Sequence, residues 1–225
     1  MTTLRKDFGT PFWSDLRNYR TCRRNAMLGV AVGRLEANDL VPQISGPKHA
    51  LHAHNKSMAT TTLVPVEEYL HTVYEPDYEY QDGELIQRNV GESPHSWLQG
   101  LLCAYIWRHS RKWGIIPFPE QRVQIRLGKY MIPDIYVHLG PKPTAKVFTE
   151  PPLIWIEILS SEDKPVRVAR KVKEVVEFGT AYVWVIDPET LESYVTTKNS
   201  QYELRDGIFR IEAMDLTIPL TKLEE

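Results

Sequence analysis

The sequence predicts an α/β domain, a mixed β-sheet flanked by helices, and three observations carry that expectation. Ile154 to Leu159 and Ala181 to Ile186 are apolar runs of strand-forming residues, separated by a segment with helical periodicity. A strand, a helix and a strand of that length make a crossover whose strands lie parallel and central in their sheet. Asp82-Gly83 and Asp206-Gly207 each separate strand-like stretches, and Asp-Gly is a strong signal for a tight hairpin, which adds antiparallel pairs. From Ser93 to Gly114, apolar residues recur every three or four positions, which supplies a long helix to pack on the sheet.

Size and charge bound the reading. The chain has 225 residues, 42% of them hydrophobic, enough for one substantial core and a small extra segment. A formal charge of −2 argues against strong non-specific DNA affinity from net charge alone, while leaving room for a local basic patch. Cys22 and Cys103 lie far apart without metal-ligand spacing, which fits a reducing cytoplasm. The longest apolar run of the first half, Ala26 to Gly33, is too short to cross a membrane. No Gly-x-Ser-x-Gly elbow, His-Glu-x-x-His helix or phosphate-binding glycine loop is present, which disfavours the common hydrolase alternatives.

Residues 1–57 differ from the rest. They carry nine Lys/Arg against four acids, a balance of +5 that leaves −7 for the remainder. No hydrophobic period runs through them, so they are expected to be a poorly ordered, disordered extension, with the folded domain spanning 58–225. Arg23-Arg24 before Ala26–Gly33 has some likeness to a signal peptide, but no small-residue cleavage site follows. His49, His52 and His54 cluster in this tail, where a flexible stretch offers a metal too few fixed ligands.

From Val64 the pattern becomes periodic. Pro65 to Leu70 reads as a short helix with proline in its first turn and acids at its positive end. Tyr78–Gln81 and Glu84–Gln87 form the hairpin around Asp82-Gly83, with Glu79 and Glu84 as strand acids. In the long helix Leu98, Leu101, Leu102, Tyr105, Ile106 and His109 share a face, and His95 lies at the N-terminal end, where backbone N–H groups favour anions. Glu120 to Leu127 alternates as a half-buried strand, with Arg122 and Arg126 as candidate phosphate contacts. Ile132 to Val137 reads as a strand with Asp134 near its start, and a proline-bounded loop joins it to Leu153–Leu159. Asp163 is the expected N-cap of a helix that closes at Gly179, and Ser193–Thr197, Gln201–Arg205 and Ile208–Ile211 are expected to extend the sheet.

The chemistry is concentrated around one residue. An apolar strand has no packing use for the carboxylate of Glu157, because an ionised group out of water costs several kcal/mol unless paired or metal-bound. Val168, Val172, Val175 and Val176 follow the spacing of a core-facing stripe, and Lys171 shares their face, so its ammonium is expected to point inward. If the strands bearing Asp134 and Glu157 are neighbours, two acids and a lysine meet at one point. That set suits divalent-cation chemistry on a phosphodiester, with oxygen ligands for magnesium and a lysine to orient water and offset negative charge.

The same residues carry a resemblance. The ordered series Val66-Glu67-Glu68-Tyr69-Leu70, Tyr80-Gln81-Asp82-Gly83-Glu84-Leu85, Pro94-His95-Ser96, Pro133-Asp134, Ile156-Glu157-Ile158-Leu159-Ser160, Arg170-Lys171-Val172 and Val183 to Pro188 resembles the Uma-two family. That family is a branch of the PD-(D/E)XK phosphodiesterase superfamily of restriction endonucleases, and the likeness runs from about Met58 to the C-terminus. It implies a restriction-endonuclease-like sheet, with Asp134, Glu157 and Ile158 at a Mg2+ or Mn2+ ion. It also implies roles for Lys171 on the following helix, for Glu84 reaching in from the hairpin and for His95. Leu159 stands where the superfamily usually has its lysine; Ser161 and Val175 replace a frequent proline and tyrosine. The expected function is a metal-dependent DNA endonuclease, compatible with a homodimer that cuts both strands; the alternative is a nuclease-fold module with little catalysis, acting in nucleic-acid or protein binding.

Overall fold

The computed structural model describes residues 63–89 and 91–224. The expected extension over 1–57 and its three histidines lie outside the described residues. Helix α1 (Val66–His71) leads into strands β1 (Tyr78–Gln81) and β2 (Glu84–Gln87), then the long helix α2 (Ser93–Trp113). Strands β3 (Ile115–Pro119), β4 (Val123–Arg126), β5 (Lys129–Met131), β6 (Ile135–Leu139) and β7 (Ile154–Ile158) follow, then helix α3 (Pro165–Phe178). Strands β8 (Tyr182–Ile186), β9 (Ser193–Thr196), β10 (Gln201–Glu203), β11 (Ile208–Ile211) and β12 (Leu216–Pro219) complete the order.

The strands form a six-stranded sheet in the order β10-β9-β8-β7-β6-β3, a four-stranded sheet in the order β2-β1-β5-β4, and the β11-β12 hairpin. Strands β7 and β8 pair in parallel at the centre of the larger sheet, as a strand-helix-strand unit requires, and its other pairs are antiparallel. The sheet is therefore mixed, as the sequence predicts.

Strand β7 is apolar apart from Glu157 because both faces are covered. Ile154, Ile156 and Ile158 join Leu98, Leu102 and Ile106 of α2 in the main core. On α3, Val168, Val172 and Val175 are buried. Gly114 and Gly179, at φ 65° and 110°, end α2 and α3 in the left-handed conformation that glycine adopts without strain.

Four expectations are corrected. The Ile132–Val137 strand does not exist as such: Lys129–Met131 belongs to the four-stranded sheet and Ile135–Leu139 to the six-stranded one, so Ile132-Pro133-Asp134 is the buried crossing between them. The strand expected from Glu120 contracts to Val123–Arg126, with Glu120 at φ 51°, outside extended backbone. Asp163 does not cap α3, whose N-cap is Lys164; its carboxylate accepts from the Ser160 N–H and hydroxyl instead, closing the turn before the helix. Ile208–Ile211 leaves the sheet and pairs with β12 alone, because Phe209, Ile211, Leu216 and Ile218 alternate inward to close the core beside α2.

The smaller sheet has its own cluster. Tyr69, Tyr80 and Tyr130 pack together, and their hydroxyls need partners once buried. Tyr69 donates to the Tyr78 carbonyl at 2.9 Å and Tyr80 to the Val64 carbonyl at 3.0 Å. Arg122 lies 4.4 Å from the centre of the Tyr69 ring, and Arg126 forms a two-pronged ion pair with Asp82, so neither guanidinium is an unengaged phosphate contact. At the hairpin tip Asp82 and Gly83 both take positive φ, 50° and 98°, which matches the twist of paired strands.

Candidate functional site

The two sheets meet at a cluster of charged side chains drawn from parts of the chain that are remote in sequence. Register puts Ile135 of β6 opposite Ile156 of β7, which brings Asp134, one step before β6, beside the C-terminal end of β7. There the Ile158 N–H donates to Asp134 Oδ2 at 2.7 Å. Asp134 Oδ1 lies 2.8 Å from Arg88 Nη2 and 3.3 Å from His95 Nε2, and its carbonyl accepts from Gln99 Nε2 at 2.9 Å. Side chains alternate along β7, so Trp155 and Glu157 share the face opposite the isoleucines, and the Trp155 indole N–H donates to Glu157 Oε1.

Lys171 points inward from α3. Its ammonium lies 2.8 Å from Glu157 Oε1, 3.0 Å from Glu157 Oε2, 2.9 Å from Glu79 Oε1 and 3.2 Å from the Ile132 carbonyl. Glu79 also accepts the Ile132 N–H at 3.2 Å. These groups line a cavity of about 70 Å3 formed by Glu79, Arg88, His95, Asp134, Glu157 and Lys171 among others. One water needs about 10–15 Å3 of such space, so the cavity has room for several.

One ammonium shared by two carboxylates neutralises only one of them, and the ionisations follow. Burial pushes Glu157 up to about 7, reinforced by the negative charge of Asp134 and only partly offset by Lys171. For Glu79 the same burial is outweighed by Lys171 and the Ile132 N–H, which hold it below the usual carboxylate range. Asp134 is likewise held low, because the His95 hydrogen bond and Arg88 overcome its burial. Lys171 is raised despite burial by Glu157 and Glu79, and His95 is raised despite burial by Asp134.

Of the residues singled out in the sequence, the structure brings together Asp134, Glu157, Ile158, Lys171 and His95. It does not bring in Glu84. That residue is exposed at the turn end of the hairpin opposite Gln81, whereas Glu79 lies two residues back along the other strand and faces Ile86. Two residues of strand span about 7 Å, which leaves Glu84 at the hairpin tip while Glu79 reaches Lys171. Glu79 carried a signal that could have found it: a carboxylate between Tyr78 and Tyr80, as out of place as Glu157 between isoleucines. Arg88, Asn89 and Asp163 were also missed. Asn89 donates to Ser160 Oγ at 3.0 Å and Asp163 Oδ1 at 2.9 Å, joining the two loops beside the cavity. Nothing in the sequence around Arg88 marks it out.

His95 does not present an open N-terminal anion site. It is buried in the first turn of α2, with Nε2 turned to Asp134.

A model of the Uma2 family, described as "Putative restriction endonuclease", matches residues 66–217. The chain belongs to the Uma2 family. No curated protein matches it. Among solved structures it is similar to a "putative nuclease belonging to DUF820" from Anabaena variabilis, with a TM-score of 0.61 and 23% identity over 71% of this chain and 97% of that one. At that identity the likeness establishes the fold. The matched span of this Uma2 chain contains every residue of the charged cluster.

Whether the cluster suits a divalent cation is a question of donors, charge and space. Carboxylate oxygens are the donors that magnesium and manganese prefer. With Glu157 ionised, Glu79, Asp134 and Glu157 carry three negative charges against the two positive ones of Lys171 and Arg88, so above a pH of about 7 the cluster keeps an excess negative charge. Among the described residues no three His, Cys, Asp or Glu side chains stand close enough to enclose a metal ion by themselves. Magnesium usually keeps several waters and takes one or two carboxylates. The donor set fits such an ion.

Proposed function

We propose that the chain is a metal-dependent endonuclease that hydrolyses DNA phosphodiester bonds. The observation that supports this best is the convergence of Asp134, Glu157 and Lys171 on one cavity at the end of the parallel strand pair. Asp134 and Glu157 are the residues to hold magnesium or manganese, with the Ile158 main chain at the same point. When bound, such an ion supplies Lewis-acid polarisation of a phosphate and a more acidic water.

The chain's own groups do the rest. Ile158 N–H and Arg88 fix the Asp134 carboxylate from two sides, and His95 adds a third contact. Lys171 stays protonated, since its carboxylate partners raise it above its ordinary value. It therefore serves as a donor that orients the attacking water and offsets developing negative charge, not as a base. Because Lys171 arrives from α3, the cluster has a lysine even though Leu159, just past β7, stands where one is usual.

The test is cleavage of plasmid DNA by the full chain in magnesium or manganese, beside Asp134→Ala and Lys171→Ala. Wild type is expected to nick or linearise the plasmid, and each variant to lose about a hundredfold or more of the rate. Cleavage that survives both substitutions, or none with any metal, overturns the proposal. The second outcome favours the reading of a nuclease-fold binding module, consistent with carboxylates already engaged by Lys171 and Arg88.

A further inference from the structure

Arg88 stands where two cavities meet. The 70 Å3 site cavity and a groove of about 440 Å3 share Arg88, Asn89 and Ser160 in their walls. The groove also carries Glu92 and Glu162, and among the described residues Arg88 is the only cationic side chain lining it. Arg167, on the wall of the site cavity, donates to the Gln87 carbonyl at 3.2 Å, so Arg88 is the cation on the groove wall itself.

The two cations of the cluster are held very differently. Lys171 is fixed by both oxygens of Glu157, by Glu79 and by the Ile132 carbonyl. Arg88 holds Asp134 Oδ1 at 2.8 Å, and its next charged contact is the half-exposed Glu120 at 3.6 Å. Asp134 Oδ2 is committed to the Ile158 N–H, which leaves Oδ1, held by Arg88 and more distantly by His95 Nε2 at 3.3 Å, as the oxygen open to exchange. Arg88 and an incoming cation therefore compete for the same atom.

Charge balance gives the displaced guanidinium a destination. The cluster's excess negative charge becomes an excess positive one on binding a divalent cation, and a phosphodiester returns it to neutrality. Guanidinium matches phosphate with two parallel N–H donors, as it matches carboxylate.

We propose that Arg88 is the exchangeable cation of this site: it holds Asp134 in the present arrangement, releases it on metal binding, and then binds a phosphate of the nucleic-acid substrate at the mouth of the groove. This rests on the proposed nuclease reading. The assignment makes Arg88 a substrate-binding residue whose loss moves two affinities in opposite directions.

The experiment uses the full chain, Arg88→Gln and Arg88→Lys. Magnesium binding is measured by calorimetry without DNA, and binding of a labelled DNA duplex by fluorescence anisotropy in calcium, with a melting curve for each variant. Arg88→Gln is expected to bind magnesium several-fold more tightly, since the stronger of the two competitors for Asp134 Oδ1 is gone and only His95 remains, and DNA about tenfold more weakly. Arg88→Lys is expected to restore magnesium binding toward wild type and part of the DNA affinity. A purely structural Arg88 predicts that both affinities fall together or that neither moves in Arg88→Gln; either result in folded Arg88→Gln, or a joint fall in Arg88→Lys, overturns the proposal. Wild type that binds magnesium and DNA while the variants behave like it sinks the Arg88 assignment alone. Wild type that binds no magnesium sinks the nuclease reading and this assignment with it.

Discussion

The two sheets solve the same packing problem with different chemistry. The six-stranded sheet buries aliphatic side chains such as Ile154, Ile156 and Ile158 against Leu98, Leu102 and Ile106, contacts that require no particular geometry beyond close packing. The four-stranded sheet buries tyrosines, and each buried hydroxyl has to find an acceptor such as the carbonyl of Val64 or Tyr78. Both send charged groups to the same place. Asp134 and Glu157 lie where β6 begins and β7 ends in the larger sheet, and Glu79 and Arg88 come from the smaller sheet and the segment that leaves it. Lys171 joins the halves by holding Glu157 with one part of its ammonium and Glu79 with another.

Cutting that joint is expected to have the largest effect. Lys171→Met leaves two buried carboxylates facing each other and is expected to cost about 3–5 kcal/mol at pH 8, read as a fall in the denaturant midpoint. The loss is expected to shrink with Glu79→Gln added, because one of the stranded charges is then gone. Acidification probes the same joint. Glu157 in the folded chain titrates near 7, above its ordinary value, so the folded state binds more protons than the unfolded one between the usual carboxylate range and 7. That group alone makes the fold more stable as the pH falls through this window, and it contributes no slope above it. Glu79 and Asp134, held low, act in the opposite sense, their contribution being lost only below the usual carboxylate range. Glu157→Gln is therefore expected to flatten the stability profile between pH 5 and 7; a slope that persists unchanged would remove Glu157 as its source.

The contrast between the sheets shows again in what the sequence reveals. The crossover from Ile154 to Ile186 is readable because its strands are long, apolar on both faces and separated by one helix. Within it the two anomalies, Glu157 among isoleucines and Lys171 on a valine face, identify themselves. The smaller sheet is assembled from strands of three and four residues whose partners are remote, such as Tyr80 opposite Tyr130. No local pattern records that pairing, so the sequence shows Glu79 only as a strand acid, whereas Glu84 fits a motif. Asp134 was found by its motif although the strand expected around it is in fact a crossing between sheets. Arg88 depends wholly on tertiary placement, and short-range sequence cannot supply that.

A milder substitution sharpens the packing side of the comparison. Tyr80→Phe removes the hydroxyl that donates to the Val64 carbonyl and keeps the ring, so about 1 kcal/mol of stability is expected to go. Ile156→Ala in the larger sheet is expected to cost about 2–5 kcal/mol, since it empties part of a fully buried site. Chemical denaturation of the two variants side by side measures the difference. Equal losses would show that the tyrosine cluster is held by more than its hydroxyl bonds.

The smallest expected effect decides between the two glutamates of one hairpin. Glu84 is exposed at the tip, where substitutions usually change stability by no more than about 0.5 kcal/mol, so Glu84→Gln is expected to leave both stability and any metal-dependent cleavage as they are. Glu79→Gln changes the same atoms two positions back on the facing strand, and it takes from Lys171 one of the two carboxylates that hold it. With Glu79 neutral, Glu157 no longer shares its ammonium and is expected to ionise more readily, which a midpoint below 7 in its carboxylate titration by NMR would register. An unmoved midpoint in Glu79→Gln, or a shift of equal size in Glu84→Gln, would mean that the short sheet contributes no charge to the site and that the joint at Lys171 belongs to the long one alone.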